Sequence, residues 1–276
     1  MIAMTDMKIK IDPAIFEQRA SLEASINELT IKAAEGVRQI NARIAADLAK
    51  LADSVHRFKA GLPDKLTTLA MNGWFIYGFR TPSQAIYPIA SLFETSRVNE
   101  GNQAMCRHFN NVAPDIEADL TKRFSKRAVI LKRAFEAHKA ANYELSVPVL
   151  LAQADGIARD TFGKNIPRFS IYTRSKSRKK KIKKTIDKFA GEALLGSDII
   201  DVLLIKMPLN ASEGDAELIK GVLSRNQILH GADTDYATLT NSCRAISWLD
   251  YVSYFHKLSS KRRNKLNQSG SGGCGQ

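Results

Sequence analysis

From Pro13 to about Lys59 apolar residues recur at helical spacing: Leu22, Ile26, Leu29, Ala33, Val37, Ile40, Ile44, Leu48, Leu51, Val55 and Phe58. Leu22, Ala33, Ile44 and Val55 stand eleven apart, as do Ile26, Val37 and Leu48, so the stripe runs nearly parallel to a helix axis or drifts slightly right-handed. Asp12 before Pro13 is a good N-cap with proline in the first turn, and Gly61 followed by Pro63 is a good stop. One helix of about 46 residues, roughly 70 Å long, is expected. Its apolar stripe needs a partner along its length, either another helix of this chain or its own copy in a dimer.

The stretch from Leu62 to Pro88 mixes glycine, proline and aromatics and reads as a connector with short helices. Helical patterns follow at about 83–97, 100–110, 114–141 and 142–162, then at 182–205, 211–230 and 238–258, and strand alternation is nowhere sustained. The fold class expected is therefore all-α. A boundary near Asn142 separates residues 1–141, a helical region with the long N-terminal helix serving oligomerisation or regulation, from a four-helix bundle over 142–267. Residues 268–276 are polar and glycine-rich and are expected to be a disordered tail.

The chain has 276 residues and 44% apolar composition, enough for a packed core. No run of about 18 apolar residues and no export signal at the N-terminus is found, which points to a cytoplasmic protein without a membrane partner. Cys106, Cys243 and Cys274 fit neither a disulfide framework nor a zinc site and are expected to be reduced thiols. A formal charge of +13 suits a protein that meets a phosphate backbone. Eight of those charges, Arg174, Lys176, Arg178, Lys179, Lys180, Lys181, Lys183 and Lys184, crowd into eleven residues, leaving +5 for the rest. This run is a candidate RNA-binding loop, or otherwise a solvated basic loop.

Near Gly231, Leu218, Ile219, Val222, Leu223 and Leu229 define the inward face of an expected helix, and Arg225 and Asn226 interrupt it. Asn226 and His230 are four apart and share a side, whereas Arg225 and His230 are five apart and about 140° around the axis. Convergence on one atom needs the helix to end at His230, which Gly231 permits as a C-terminal cap, together with a bent Arg225 side chain or a second copy of the motif across a two-fold dimer.

Arg225, Asn226, His230 and Gly231, followed by Thr240, Asn241 and the apolar helix with Trp248, Leu249, Asp250 and Tyr251, resemble the HEPN superfamily of helical ribonucleases. Residues 143–160 (YELSVPVLLAQADGIARD) resemble the first bundle helix of bacterial HEPN-type proteins, many of them linked to phage defence or toxin systems. The resemblance covers roughly residues 142–258 and implies a HEPN-like bundle, an endoribonuclease that needs no cofactor or metal, and products ending in a 2′,3′-cyclic phosphate and a 5′-hydroxyl. It implies a homodimer acting on RNA, restrained or activated by a protein partner.

The residue types suit that chemistry. Cleavage without metal needs a base for the 2′-hydroxyl proton, a donor for the pentacoordinate phosphate and an acid for the leaving 5′-oxygen. His230 can move the proton. Arg225 can hold two phosphate oxygens and offset developing charge, and Asn226 would orient the histidine or the phosphate. Asp155, Gln153 and Asp250 interrupt apolar runs and either orient this pair or serve structural hydrogen bonds. Asp233 and Asp235 read as the turn after His230 rather than a metal pair. Trp248, Tyr251, Tyr254 and Phe255 are base-stacking candidates or core. His56, His108, His138 and His256 have no partner spacing and receive no role. The rival readings are a non-catalytic HEPN-like helical module that binds protein or nucleic acid, and a DNA binder that uses its charge.

Overall fold

The computed structural model describes residues 13–77, 80–81, 83–162, 207–211 and 221–270, and every regular element among them is helical. In chain order these are α1 (Pro13–Met71), α2 (Ser83–Glu94), α3 (Val98–Arg123), α4 (Ala128–Lys139), α5 (Tyr143–Phe162), the short α6 (Arg225–Leu229) and α7 (Leu239–Gly270). Single 3-10 turns lie at Ser125–Arg127 and Pro208–Asn210. The all-α expectation holds, and no helix among the described residues is long and apolar enough to cross a membrane. The chain divides into two units, Met1–Ala60 and Gly61–Gln276.

In the first unit α1 forms as its periodicity predicts, with Arg19–Glu23 and Lys32–Glu28 pairs one turn apart. Its apolar stripe stays bare, from Leu22 at 62% exposed to Leu48 at 60%.

The expected stop at Gly61 and Pro63 is overturned, because the helix runs on to Met71. Proline removes one backbone donor there. Leu62, Leu66 and Leu69 are all buried, and that continuous apolar face outweighs the loss. Gly61 serves packing instead: the Tyr87 hydroxyl lies 2.8 Å from where a Cβ would stand. The helix ends at Gly73, whose φ of 82° lets its N–H reach the Ala70 carbonyl at 3.0 Å and the Trp74 N–H reach that of Leu69 at 2.9 Å. Beyond it the chain is non-helical from Trp74 to Tyr77 yet wholly buried. One of its backbone donors is satisfied when the Phe75 N–H bonds Ser247 Oγ at 3.3 Å.

Two further boundaries differ from expectation. The segments predicted at 100–110 and 114 onward form one helix, α3, which carries Pro114 in its interior, and the break falls at Phe124. Phe109, Ala113, Ile116 and Leu120 share one buried face through the proline, so packing again overrides the local breaker.

The second unit is assembled around α7, which packs on α5 and α3, while α4 packs on α5 and α3. Every residue of α7 from Ser242 to Phe255 is buried, as a helix surrounded on all sides requires. Phe75 meets Trp248 edge-on and Tyr251 at a tilt, and Tyr251 stacks on Trp248 and meets Phe255 edge-on. These aromatics and Tyr254 are core, which removes them as base-stacking candidates.

Asp250 sits in this core at 1% exposed, accepting from the Tyr77 hydroxyl at 2.7 Å and from Arg80 Nε at 3.2 Å. Burial pushes its carboxyl up to about 6, against the pull of Arg80 and of the Tyr77 hydroxyl. A carboxyl raised above its ordinary value of about 3.9 binds its proton more tightly folded than unfolded, so its contribution to stability falls as the pH climbs between those two values. Compared with Asp250→Asn across that interval, the native chain should lose up to about 3 kcal/mol and then level off above about pH 7. Urea unfolding of both proteins at a series of pH values checks this, and a pH-independent difference would contradict it.

Candidate functional site

The helix expected over 211–230 is corrected in its described part. A turn at Gly221 and an extended Ser224 (φ −112°, ψ 110°) precede Arg225, so α6 is only five residues long. Leu218 and Ile219 lie outside the described residues. Leu223 and Ile228 are buried and root the segment in the core.

The C-terminal end of α6 is as the Gly231 signal predicts. Gly231 has φ 76°, its N–H reaches the Ile228 carbonyl at 3.1 Å, and the Ala232 N–H reaches that of Gln227 at 2.8 Å. These two bonds define a glycine-closed helix end. His230 is its C-cap, exposed, with its backbone N–H bonded to the Asn226 carbonyl at 3.1 Å and no hydrogen bond to its ring among the described residues. Nothing lies within 4 Å of a Cβ built on Gly231, so only backbone strain restricts that position.

Arg225 is held from α5. Its Nε donates to Asp155 Oδ1 at 2.9 Å, its Nη2 to Asp155 Oδ2, and its Nη1 to Asn226 Oδ1 at 2.9 Å. Asn226 Nδ2 in turn donates to the Ala211 carbonyl at 3.0 Å. The Arg225 and Asp155 side chains are 14% and 17% exposed. Burial draws the guanidinium below its ordinary value, and the two-pronged carboxylate contact opposes that loss, so the pair stays ionic.

Of the three polar residues that interrupt apolar runs, Asp155 thus takes the orienting role for Arg225. Gln153 instead accepts from Arg127 at 3.1 Å, and Asp250 belongs to the Tyr77–Arg80 cluster. Arg225 and Asn226 come together, while His230 stands one helical turn away, facing solvent. Asp233 accepts from the Asp235 N–H at 2.9 Å, a local turn. Among the described residues no group of three or more metal-ligating side chains forms. The basic run Arg174, Lys176, Arg178, Lys179, Lys180, Lys181, Lys183 and Lys184 lies outside the described residues.

The structure also brings together residues that sequence reading passed over. Arg244, 3% exposed, donates from Nη1 to the Gly221 carbonyl at 3.3 Å and to Asn241 Oδ1 at 3.1 Å, and from Nη2 to Asn102 Oδ1 at 3.3 Å. It lies 5.5 Å from the Trp74 ring centre, and burial draws it down to about 10. Arg244 therefore ties the turn that introduces α6 to the central helix. Beside it a buried polar seam joins Cys106, Cys243, His138, Ser242 and Ser146, closed at the surface by the exposed Asn110. His138 bonds Ser242 Oγ at 2.8 Å and Asn110 Oδ1 at 3.0 Å, and burial pulls its imidazole down, so it is a neutral structural group. Cys106 is drawn down by its hydrogen bond with Cys243 and by Thr240 and Arg244, against burial. Both cysteines are free thiols, as expected. An arginine three residues after Asn241 was the one available signal, and it is indistinguishable from a surface arginine without the helix packing.

Compared with known protein families, with curated proteins and with solved structures, the chain matches none.

Replacing Asp155 by Asn leaves Arg225 half buried without its counter-charge, and the expected cost is roughly 3 kcal/mol. Gly231→Ala forces a left-handed backbone on an L side chain at about 1–2 kcal/mol and should loosen the α6 end without touching the core. Denaturant midpoints for both variants, with amide exchange at His230 and Ala232, measure this. Unchanged exchange at Ala232 in Gly231→Ala would contradict the capping role.

Proposed function

We propose that the chain is a metal-independent endoribonuclease of the HEPN type that cleaves RNA by attack of the 2′-hydroxyl on the adjacent phosphate at Arg225, Asn226 and His230. The observation that carries the reading is the exposed His230 imidazole on a glycine-closed helix end, one turn from an oriented guanidinium. His230 takes the 2′-hydroxyl proton or delivers one to the leaving 5′-oxygen. Arg225 meets the phosphate as a charge-assisted donor, and Asp155 sets the plane of the guanidinium. Residues 174–184 supply the sequence-independent hold on the backbone. A homodimer that sets two motifs across one cleft, a protein partner that restrains it, and a role in phage defence or a toxin system belong to the same proposal.

The closed ion pair favours a second reading, a non-catalytic helical module that binds protein or nucleic acid, since Arg225 and Asn226 already have partners within the chain.

Total RNA incubated in chelator with the native chain should be cut to products with 2′,3′-cyclic phosphate ends, and His230→Ala should slow this by roughly 10²–10⁴-fold. A DNA strand of the same sequence lacks the attacking hydroxyl and should survive. Equal degradation by both proteins removes the nuclease assignment, and RNA binding without cleavage by either supports the module.

A further inference from the structure

The exposed stripe on α1 has a symmetry that the sequence periodicity alone does not display. Leu22 and Leu48 lie thirteen residues to either side of residue 35, Ile26 and Ile44 nine, and Ala33 and Val37 two, while Leu29 and Ile40 miss the same mirror by one residue. All of the large residues among them are at least half exposed, from 52% at Ile44 to 67% at Leu29. The stripe from Leu22 to Leu48 runs about 40 Å, longer than a solitary solvent-facing helix keeps bare without a binding purpose.

Charge is distributed with the opposite symmetry. Residues 13–36 carry four acidic and two basic side chains, net −2, and residues 37–60 carry two acidic and five basic ones, net +3. A second copy laid parallel would set like halves side by side. Laid antiparallel about residue 35, it sets the acidic half on the basic half and stacks Leu22 on Leu48, Ile26 on Ile44 and Ala33 on Val37. Gly36, next to the axis, has nothing within 4 Å of a built Cβ, which leaves room for a close backbone approach.

We infer that α1 pairs with α1 of a second copy of this chain, antiparallel, in the register that centres residue 35 on the two-fold axis. The interface is isologous, each layer formed twice by the same two residues. The two Ala60 ends lie about 75 Å apart in such a pair. The inference does not rest on the ribonuclease reading, and the residues tested are different.

Sedimentation of the full chain at micromolar concentration should report a dimer, and Ile26→Glu with Ile44→Glu a monomer with the same circular dichroism of the remaining helices. In a chain with Cys274→Ser, the pair Leu22→Cys and Leu48→Cys should oxidise to a covalent dimer, whereas Leu22→Cys alone and Leu48→Cys alone should not. A native chain that sediments as a monomer overturns the inference. So does a Leu22→Cys chain that cross-links as readily as the double variant, which would mean parallel pairing, or an Ile26→Glu, Ile44→Glu chain that stays dimeric.

Discussion

Burial of α7 on every side is the constraint from which the rest of the second unit follows. A helix surrounded by protein cannot leave a polar side chain unsatisfied without a cost of about 1–3 kcal/mol, and the buried polar side chains between Ser242 and Phe255 include Ser242, Arg244, Ser247, Asp250 and Ser253. Four of these reach out to different neighbours. Ser242 meets His138 of α4 and Ser146 of α5, Ser247 meets the backbone of Phe75, Asp250 meets Tyr77 and Arg80, and Ser253 meets Arg123 of α3. Burial by apolar area drives the assembly, and these bonds choose which face of α7 each neighbour takes.

The candidate site hangs on the same scaffold by two arginines. Arg244 reaches from α7 to the Gly221 carbonyl and so positions the turn before α6. Asp155 reaches from α5, a direct neighbour of α7, to Arg225. A helix of five residues has no stability of its own, and α6 exists because an ion pair, the Asn226 bond to Ala211 and a glycine-closed end hold it at three points. His230 then projects from that frame although its ring makes no hydrogen bond among the described residues.

How far the chain could be read in advance depends on whether a feature is local. The α1 helix, the all-α class and the Gly231 cap are set by spacing within one segment, and all three appear where the pattern puts them. Boundaries failed where tertiary burial outvoted local breakers, at Gly61 and Pro63 through Leu62, Leu66 and Leu69, and at Pro114 through Phe109 and Ile116. The converse occurred at α6, where a helical pattern was cut short by the turn at Gly221 and an extended Ser224. Asp155 was visible as an acid in an apolar run, but its partner, seventy residues on, was not distinguishable from Gln153's or Asp250's until α5 and α6 were placed. Arg244, His138 and the Cys106–Cys243 seam were not legible at all, because polar residues on a helix look solvated until the helix is known to be central.

Under the proposed ribonuclease reading, the Arg225–Asp155 pair would set what kind of phosphate contact the site makes. A lone guanidinium would bring a full positive charge to an incoming phosphate, whereas one paired with Asp155 brings a charge partly offset by the carboxylate and a plane that the carboxylate fixes. Its contribution is then directional, realised only when a phosphate oxygen arrives in the guanidinium plane, and long-range attraction must come from elsewhere in the +13 chain. Division of that kind, with attraction in one segment and aim in another, has a thermodynamic consequence. Salt weakens the attraction steeply while leaving a short, charge-assisted hydrogen bond in a half-buried frame nearly untouched. Discrimination among substrates that reach the site would therefore be set by how they fit the α6 end, and how many of them reach it by the charge carried elsewhere.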